Sequence, residues 1–227
     1  MQQLWAAVRR PFVLDLRALA LLRMGVAAVL LLDLAIRSTD LEAHYSNLGV
    51  LPIPALLDYT WTPYQFSLHV ASGLWQVQAV LFLVAAALAG ALLLGYHTRL
   101  ATVASWVLLV SLQNRNTLIG QGGDDLLRML LFWGIFLPWG RVWSWDARRE
   151  PLPERLDYAS AATVAYVVQL ALLYWCTALL KYGPEWTRDG TAIYYALSLD
   201  QLLLPGGRLL YPHFELLRWL TFATWYT

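Results

Sequence analysis

Cysteine and charge are both scarce in this chain. Cys176 is the only cysteine among 227 residues, so no internal disulfide and no thiolate metal cluster can form. Its plainest role is that of a small core residue. Charged residues make up 14%, and the formal net charge is +1. No concentrated basic face is visible, which excludes nucleic acid as a partner. The histidines, His44, His69, His97 and His213, lack ligand spacing, so no zinc or two-metal site is expected; lone loop histidines of this kind read as solvated or structural. G-x-S-x-G, P-loop and dinucleotide fingerprints are missing. No inverted repeat or paired broken helix is evident, which disfavours a small-molecule transporter.

What is abundant is apolar. Hydrophobic residues reach 59% and the mean hydropathy is +0.51, beyond an ordinary soluble domain. Crossing about 30 Å of hydrocarbon takes roughly 20 helical residues, and runs of that order recur. They extend from about Ala18 to Ile36, Leu74 to Leu94, Leu100 to Leu112, Asp124 to Trp139, and Ala161 to Leu180. A sixth begins near Phe214 and reaches Thr227, shorter than a span; it is either an unfinished crossing or a helix lying against the bundle. Asp15, Arg17 and Arg23 interrupt what would be a signal peptide's apolar core, so the N-terminus reads as retained. The expected fold is an all-α integral membrane bundle of five to six spans, a single domain over residues 1–227, with short interfacial helices on its outer face.

Basic residues set the orientation. With the N-terminus cytoplasmic, the inner segments carry Arg9, Arg10, Arg17, Arg99, Arg141, Arg148, Arg149 and Arg155, and the outer ones Arg37, Arg115, Lys181, Arg188 and Arg208. The third and fourth runs either both cross or form a re-entrant hairpin, and neither choice moves another loop to the other side. Three polar connections then share the outer side, 38–73, 113–123 and 181–213. Trp61, Trp75, Trp139, Trp143, Trp145 and Trp186 fall near segment ends, as an aromatic belt requires. In "GTAIYYALSLDQLLLPGG", Thr191 is placed to cap a short interfacial helix that Pro205-Gly206-Gly207 would stop; "SNLGVLPIPALLDY" reads as a turn into another.

The most polar stretch, "QNRNTLIGQGGDD" (Gln113 to Asp125), lies between two apolar runs. Asp124 and Asp125 are placed to cap the fourth helix, and Asp124 is four residues before Arg128, the spacing of an ion pair. A structural pair fixing that helix accounts for all three; an intramembrane arginine also points inward toward a partner or polar cavity. Gly120, Gly122 and Gly123 permit positive φ and close backbone approach. With Asn114, Arg115, Asn116 and Gln121 beside them, a polar pocket for a small oxygen-rich ligand is the sharper expectation. Asp33 and Arg37 make an i, i+4 pair, whereas Arg23 has no local partner and must find one on another helix. Lys181, at the outer end of the fifth helix before Glu185 and Trp186, either snorkels to the headgroups or, partly kept from water, acts as a base.

In "LLRMG", "AHYSNLGVLP", "RNTLIGQGGDDLLRMLLFWGIFLPWGRVWSWDA" and "LLKYGPEWTRDGTAIYYAL", in order along nearly the whole chain, the sequence resembles the HTTM (horizontally transferred transmembrane) domain, shared by bacterial proteins and the vitamin K-dependent gamma-glutamyl carboxylase. The resemblance implies a bacterial inner-membrane protein and a reduced quinone such as vitamin K hydroquinone as cofactor. In the carboxylase a lysine deprotonates the quinol, which reacts with oxygen; the strongly basic product removes a γ-proton from glutamate, and the carbanion takes up carbon dioxide. The resemblance puts Lys181 in the place of that lysine, before the acidic-Trp pair Glu185–Trp186, and Asn116 near the place of a family histidine. A non-catalytic membrane subunit, whose buried charges serve assembly and whose outer loops bind a protein partner, is the alternative.

Overall fold

The computed structural model describes residues 10–151, 153–199 and 205–226. The chain is mostly helical and divides into two compact units, residues 1–167 and 168–227. In the first unit lie α1 (Leu16–Ser38), α2 (Leu41–Tyr45), α3 (Ile53–Tyr59), α4 (Trp75–Leu94), α5 (Thr98–Arg115) and α6 (Gly122–Gly134). The next helix, α7 (Ala161–Leu180), continues into the second unit, which also holds α8 (Pro184–Thr187), α9 (Ala192–Leu197), α10 (Pro205–Leu210) and α11 (Phe214–Tyr226). Helices α1, α4 and α7 are long and apolar enough to cross a membrane, which suggests membrane localisation.

Asp15 starts α1: its carboxylate accepts the Arg17 N–H at 2.7 Å and pairs with the Arg17 guanidinium. Those hydrogen bonds, the side-chain one foremost, hold its pKa at about 2. Along α1 the buried residues Leu16, Leu19, Ala20, Arg23, Val26, Ala27, Leu30 and Leu34 follow the i, i+3, i+4 stripe of a packed helix face. The opposite face is apolar too, with Leu32 61% and Ile36 62% exposed. A helix whose unpacked face is as greasy as its packed one is suited to hydrocarbon, not water.

One end of the first unit is knitted by backbone bonds. The chain leaves α4 through Gly95 at φ +69°, with Gly95 N–H bonded to Leu92 O and Tyr96 N–H to Ala91 O, the C-cap geometry that favours glycine. A Cβ there would stand 2.3 Å from Ser144 Cβ. Trp145 N–H donates to Leu94 O and Asp146 N–H to Gly95 O. In return the Asp146 carboxylate accepts the N–H groups of His97 and Thr98 and the Thr98 hydroxyl, capping α5. Burial works to raise the Asp146 pKa, but these bonds outweigh it and hold the carboxyl below its ordinary value. Two short strands, β1 (Leu14–Asp15) and β2 (Asp157–Tyr158), pair antiparallel with Leu14 opposite Tyr158, bringing the start of α1 beside the start of α7.

Several expectations change. The third run extends to Thr98–Arg115, while the fourth stops at Gly134; 13 residues give α6 about 20 Å, short of a full crossing. Beyond it the chain turns, and Trp139, expected in the aromatic belt, is 1% exposed: its ring lies where a Gly134 side chain would stand, and its indole N–H donates to Thr102 Oγ1. Cys176 is exposed on α7 and not in a core; the face that carries it has few protein neighbours. Thr191 precedes α9, but its side chain makes no capping hydrogen bond. Pro205-Gly206-Gly207 opens α10 where a stop was expected, because proline's fixed φ and missing N–H suit a helix's first turn. In the second unit, α9 and α11 meet at buried Ala192, Leu217 and Thr221, whose hydroxyl accepts the Ile193 N–H.

Candidate functional site

Arg23 is wholly buried and its partners are carbonyls. Its Nε donates to Trp139 O at 3.1 Å, Nη2 to Trp143 O at 2.7 Å, and Nη1 to Leu93 O at 2.7 Å and to Leu92 O. Two of these are carbonyls of the last turn of α4, where Leu92 O also accepts the Gly95 N–H; two belong to the irregular chain after α6, which membrane depth tolerates only if its polar groups are satisfied. The short α6 and the buried arginine are thus one arrangement.

At the other end of α1, Arg37 binds two carboxylates. Nε bonds Asp33 at 2.8 Å, Nη2 bonds Asp124 Oδ1 at 2.6 Å, and Nη1 donates to the phenol oxygen of wholly buried Tyr45. Burial pushes the Tyr45 pKa up, so the phenol stays neutral. Asp124 therefore does not pair with Arg128; Arg37 reaches it from α1, and Arg128 pairs with Asp125 one turn away instead. The other Asp124 oxygen accepts the Gln121 N–H, so the expected helix cap does form, and Gln113 Nε2 donates to Asp124 O.

Around this cap lies an open depression of about 380 Å³, walled by Gln113, Asn114, Gln121, Asp124, Asp125 and Arg128 among others. Gln113 Oε1 has no hydrogen-bond partner, whereas Asn114 donates to Phe66 O. The glycines there need no positive φ; Gly95 and Gly190 are the ones with it among the described residues, because Gly122 and Gly123 simply begin α6.

Arg115 and Asn116 face elsewhere. Arg115 is wholly buried and donates to Leu51 O and Ser46 O. Asn116 donates to His44 O and accepts the Leu118 N–H. Both spend their hydrogen bonds on holding the 44–51 loop and the turn after α5, which places them outside the depression's lining.

A second, narrower space lies between α1, α4 and α5. It has about 20 Å³ open to the centre of a water-sized sphere, and Asp33, His69, Phe82, Ser105 and Leu109 line it. His69, 1% exposed, is locked by Gln78: Nδ1 lies 2.6 Å from Gln78 Oε1, while Gln78 Nε2 donates to His69 O and Ser72 O. Burial lowers the His69 pKa; the Gln78 bond opposes this and the Arg115 charge adds to it. The sequence marked neither this pair nor the Arg37–Asp124 bridge; the one available signal was a histidine and a glutamine on either side of the start of an apolar helix.

Lys181, Glu185 and Trp186 lie in the second unit. Lys181 Nζ donates to Thr224 O at 3.0 Å and sits 5.3 Å from the Trp186 ring centre, a cation–π contact. Trp225 Nε1 donates back to Lys181 O. Glu185 makes no ion pair with it among the described residues, and its carboxylate stands where a Gly183 side chain would be. Among the described residues no group of three or more His, Cys, Asp or Glu is placed to hold a metal.

Compared with protein-family models, curated proteins and solved structures, the chain matches none.

Proposed function

We propose that this chain is an HTTM-like multi-pass membrane protein of five to six spans, placed in a bacterial inner membrane with the N-terminus and the Arg141–Arg155 loop cytoplasmic. Its outward depression at Gln113–Arg128 binds the polar head of a quinone-like or other lipid-like molecule. The observation that carries this reading is that depression: an open hollow at an end of an apolar bundle, walled by the polar side chains of Asn114, Gln121, Asp125 and Arg128. Headgroups approach such a place, and a few convergent polar groups orient them. Lys181 is the candidate base of a carboxylase- or oxidoreductase-like reaction, and to act as one its amine must leave the Thr224 carbonyl.

Mass spectrometry of small molecules extracted from gently purified protein tests the ligand, with Arg128→Leu as the comparison. That change removes only a surface ion pair, worth at most about 1 kcal/mol. A quinone or isoprenoid present in wild type and depleted in the variant supports the reading. Bulk phospholipid alone in both favours the second one, a non-catalytic subunit that binds a protein partner. The observation behind the second reading is that the guanidinium groups of Arg23, Arg37 and Arg115 all bond to groups within the protein.

A further inference from the structure

The narrower space at His69 is separate from the outward depression, and its chemistry is fixed by hydrogen-bond accounting. The Gln78 amide cannot be turned over: its nitrogen faces two carbonyl oxygens, which only accept. Its oxygen therefore receives the bond from His69, so Nδ1 carries the proton and Nε2 of the neutral ring is a bare acceptor. Ser105, 5% exposed, lines the same space, and its hydroxyl has no partner in the protein. Thr102, one turn earlier on α5, bonds back to Thr98 O; Ser105 does not take that option. The Asp33 carboxylate, although bound by Arg37, has lone pairs left.

A hydroxyl buried this deeply is nearly always bonded. The space is large enough for at least one water, and a buried water needs two to four polar partners. Serine donor, imidazole acceptor and carboxylate acceptor supply three.

We propose that this cavity is a hydrated proton-acceptor site, in which water bound between Ser105, Asp33 and His69 gives the buried imidazole Nε2 access to protons inside an apolar bundle. Asp33 from α1 and Ser105 from α5 share the cavity with His69, Gln78 from α4 bonds its ring, the Ser111 hydroxyl from α5 accepts its backbone N–H, and Arg115 from α5 acts on it through charge. Burial first, and the Arg115 charge after it, oppose a charge on the ring, so protonation is expected only below the ordinary imidazole range.

The test uses the whole protein in lipid nanodiscs, labelled with ¹⁵N-histidine, with His44→Gln, His97→Asn and His213→Gln leaving His69 as the sole signal. Expected are a protonated Nδ1 and bare Nε2 at neutral pH, a water-to-ring cross-peak, and a displaced Nε2 resonance in Ser105→Ala. A protonated Nε2 with bare Nδ1, or no water cross-peak, overturns the proposal. Thermal unfolding of Ser105→Ala gives an independent answer. If water is bound, Tm falls because a partner of that water is lost; if the cavity is dry, Tm rises because an unsatisfied hydroxyl has been removed.

Discussion

Arg23 and Arg37 sit on one helix, about four turns apart, and are solvated in opposite ways. Arg23 is met by carbonyl dipoles and Arg37 by two carboxylates and a phenol. The first kind of site lets irregular chain exist beside a membrane helix; the second holds three helices, α1, α2 and α6, in register. Replacing one residue type thus asks different things at the two ends.

Arg23→Met is expected to do the most damage. Each carbonyl left without a donor costs about 1–3 kcal/mol, so the yield of folded protein in detergent should collapse. Arg37→Met leaves buried Asp124 and half-buried Asp33 without their cation, worth up to about 3–5 kcal/mol, but adding Asp124→Asn should restore part of the lost Tm. No neutralising partner change can rescue Arg23→Met, and a rescue there would dissolve the contrast. Gly95→Ala places a side chain against Ser144 and the Arg23 guanidinium at positive φ, so it should act as a milder Arg23 defect that lowers Tm through a loss of about 1–3 kcal/mol of stability.

Smaller effects come at the α5 cap. The folded-state pKa of Asp146 lies below its ordinary value near 4, so its contribution is complete above that pH and is lost as pH falls through the depressed value. Tm should therefore be flat above about pH 5 and drop in acid. Asp146→Ala should cost about 1 kcal/mol and flatten that acid slope. Smallest, and opposite in sign, is Gly122→Ala in the depression's wall: nothing stands within 4 Å of the added Cβ, so helix propensity alone predicts a gain of at most about 0.5–1 kcal/mol. A loss of extracted ligand with that gain would place the depression in use.

Much of this was legible beforehand where it depended on local spacing. The apolar runs gave α1, α4 and α7 nearly residue for residue, because hydrocarbon length constrains them directly. The Asp33–Arg37 pair followed from i, i+4 spacing. Asp124 was misassigned to Arg128 because the same rule was applied where a helix distant in sequence brought a better donor. The early end of α6 depends on Trp139 folding under Gly134, which no periodicity records. At the candidate site, Asn114, Gln121, Asp124, Asp125 and Arg128, neighbours in sequence, line one depression, while Arg115 and Asn116 turn inward to carbonyls of the 44–51 loop.

The two-residue ribbon between β1 and β2 has a bearing on arithmetic. It sets the beginnings of α1 and α7 side by side, and a chain that leaves one face of a bilayer and returns to that same face has crossed it an even number of times. If α1 and α4 both cross, they account for one round trip, and α5 and α6 then share a fate: both traverse or both turn back. Parity, set by four paired residues at the foot of the bundle, ties the 13-residue helix to its longer neighbour whatever the thickness of the membrane around them.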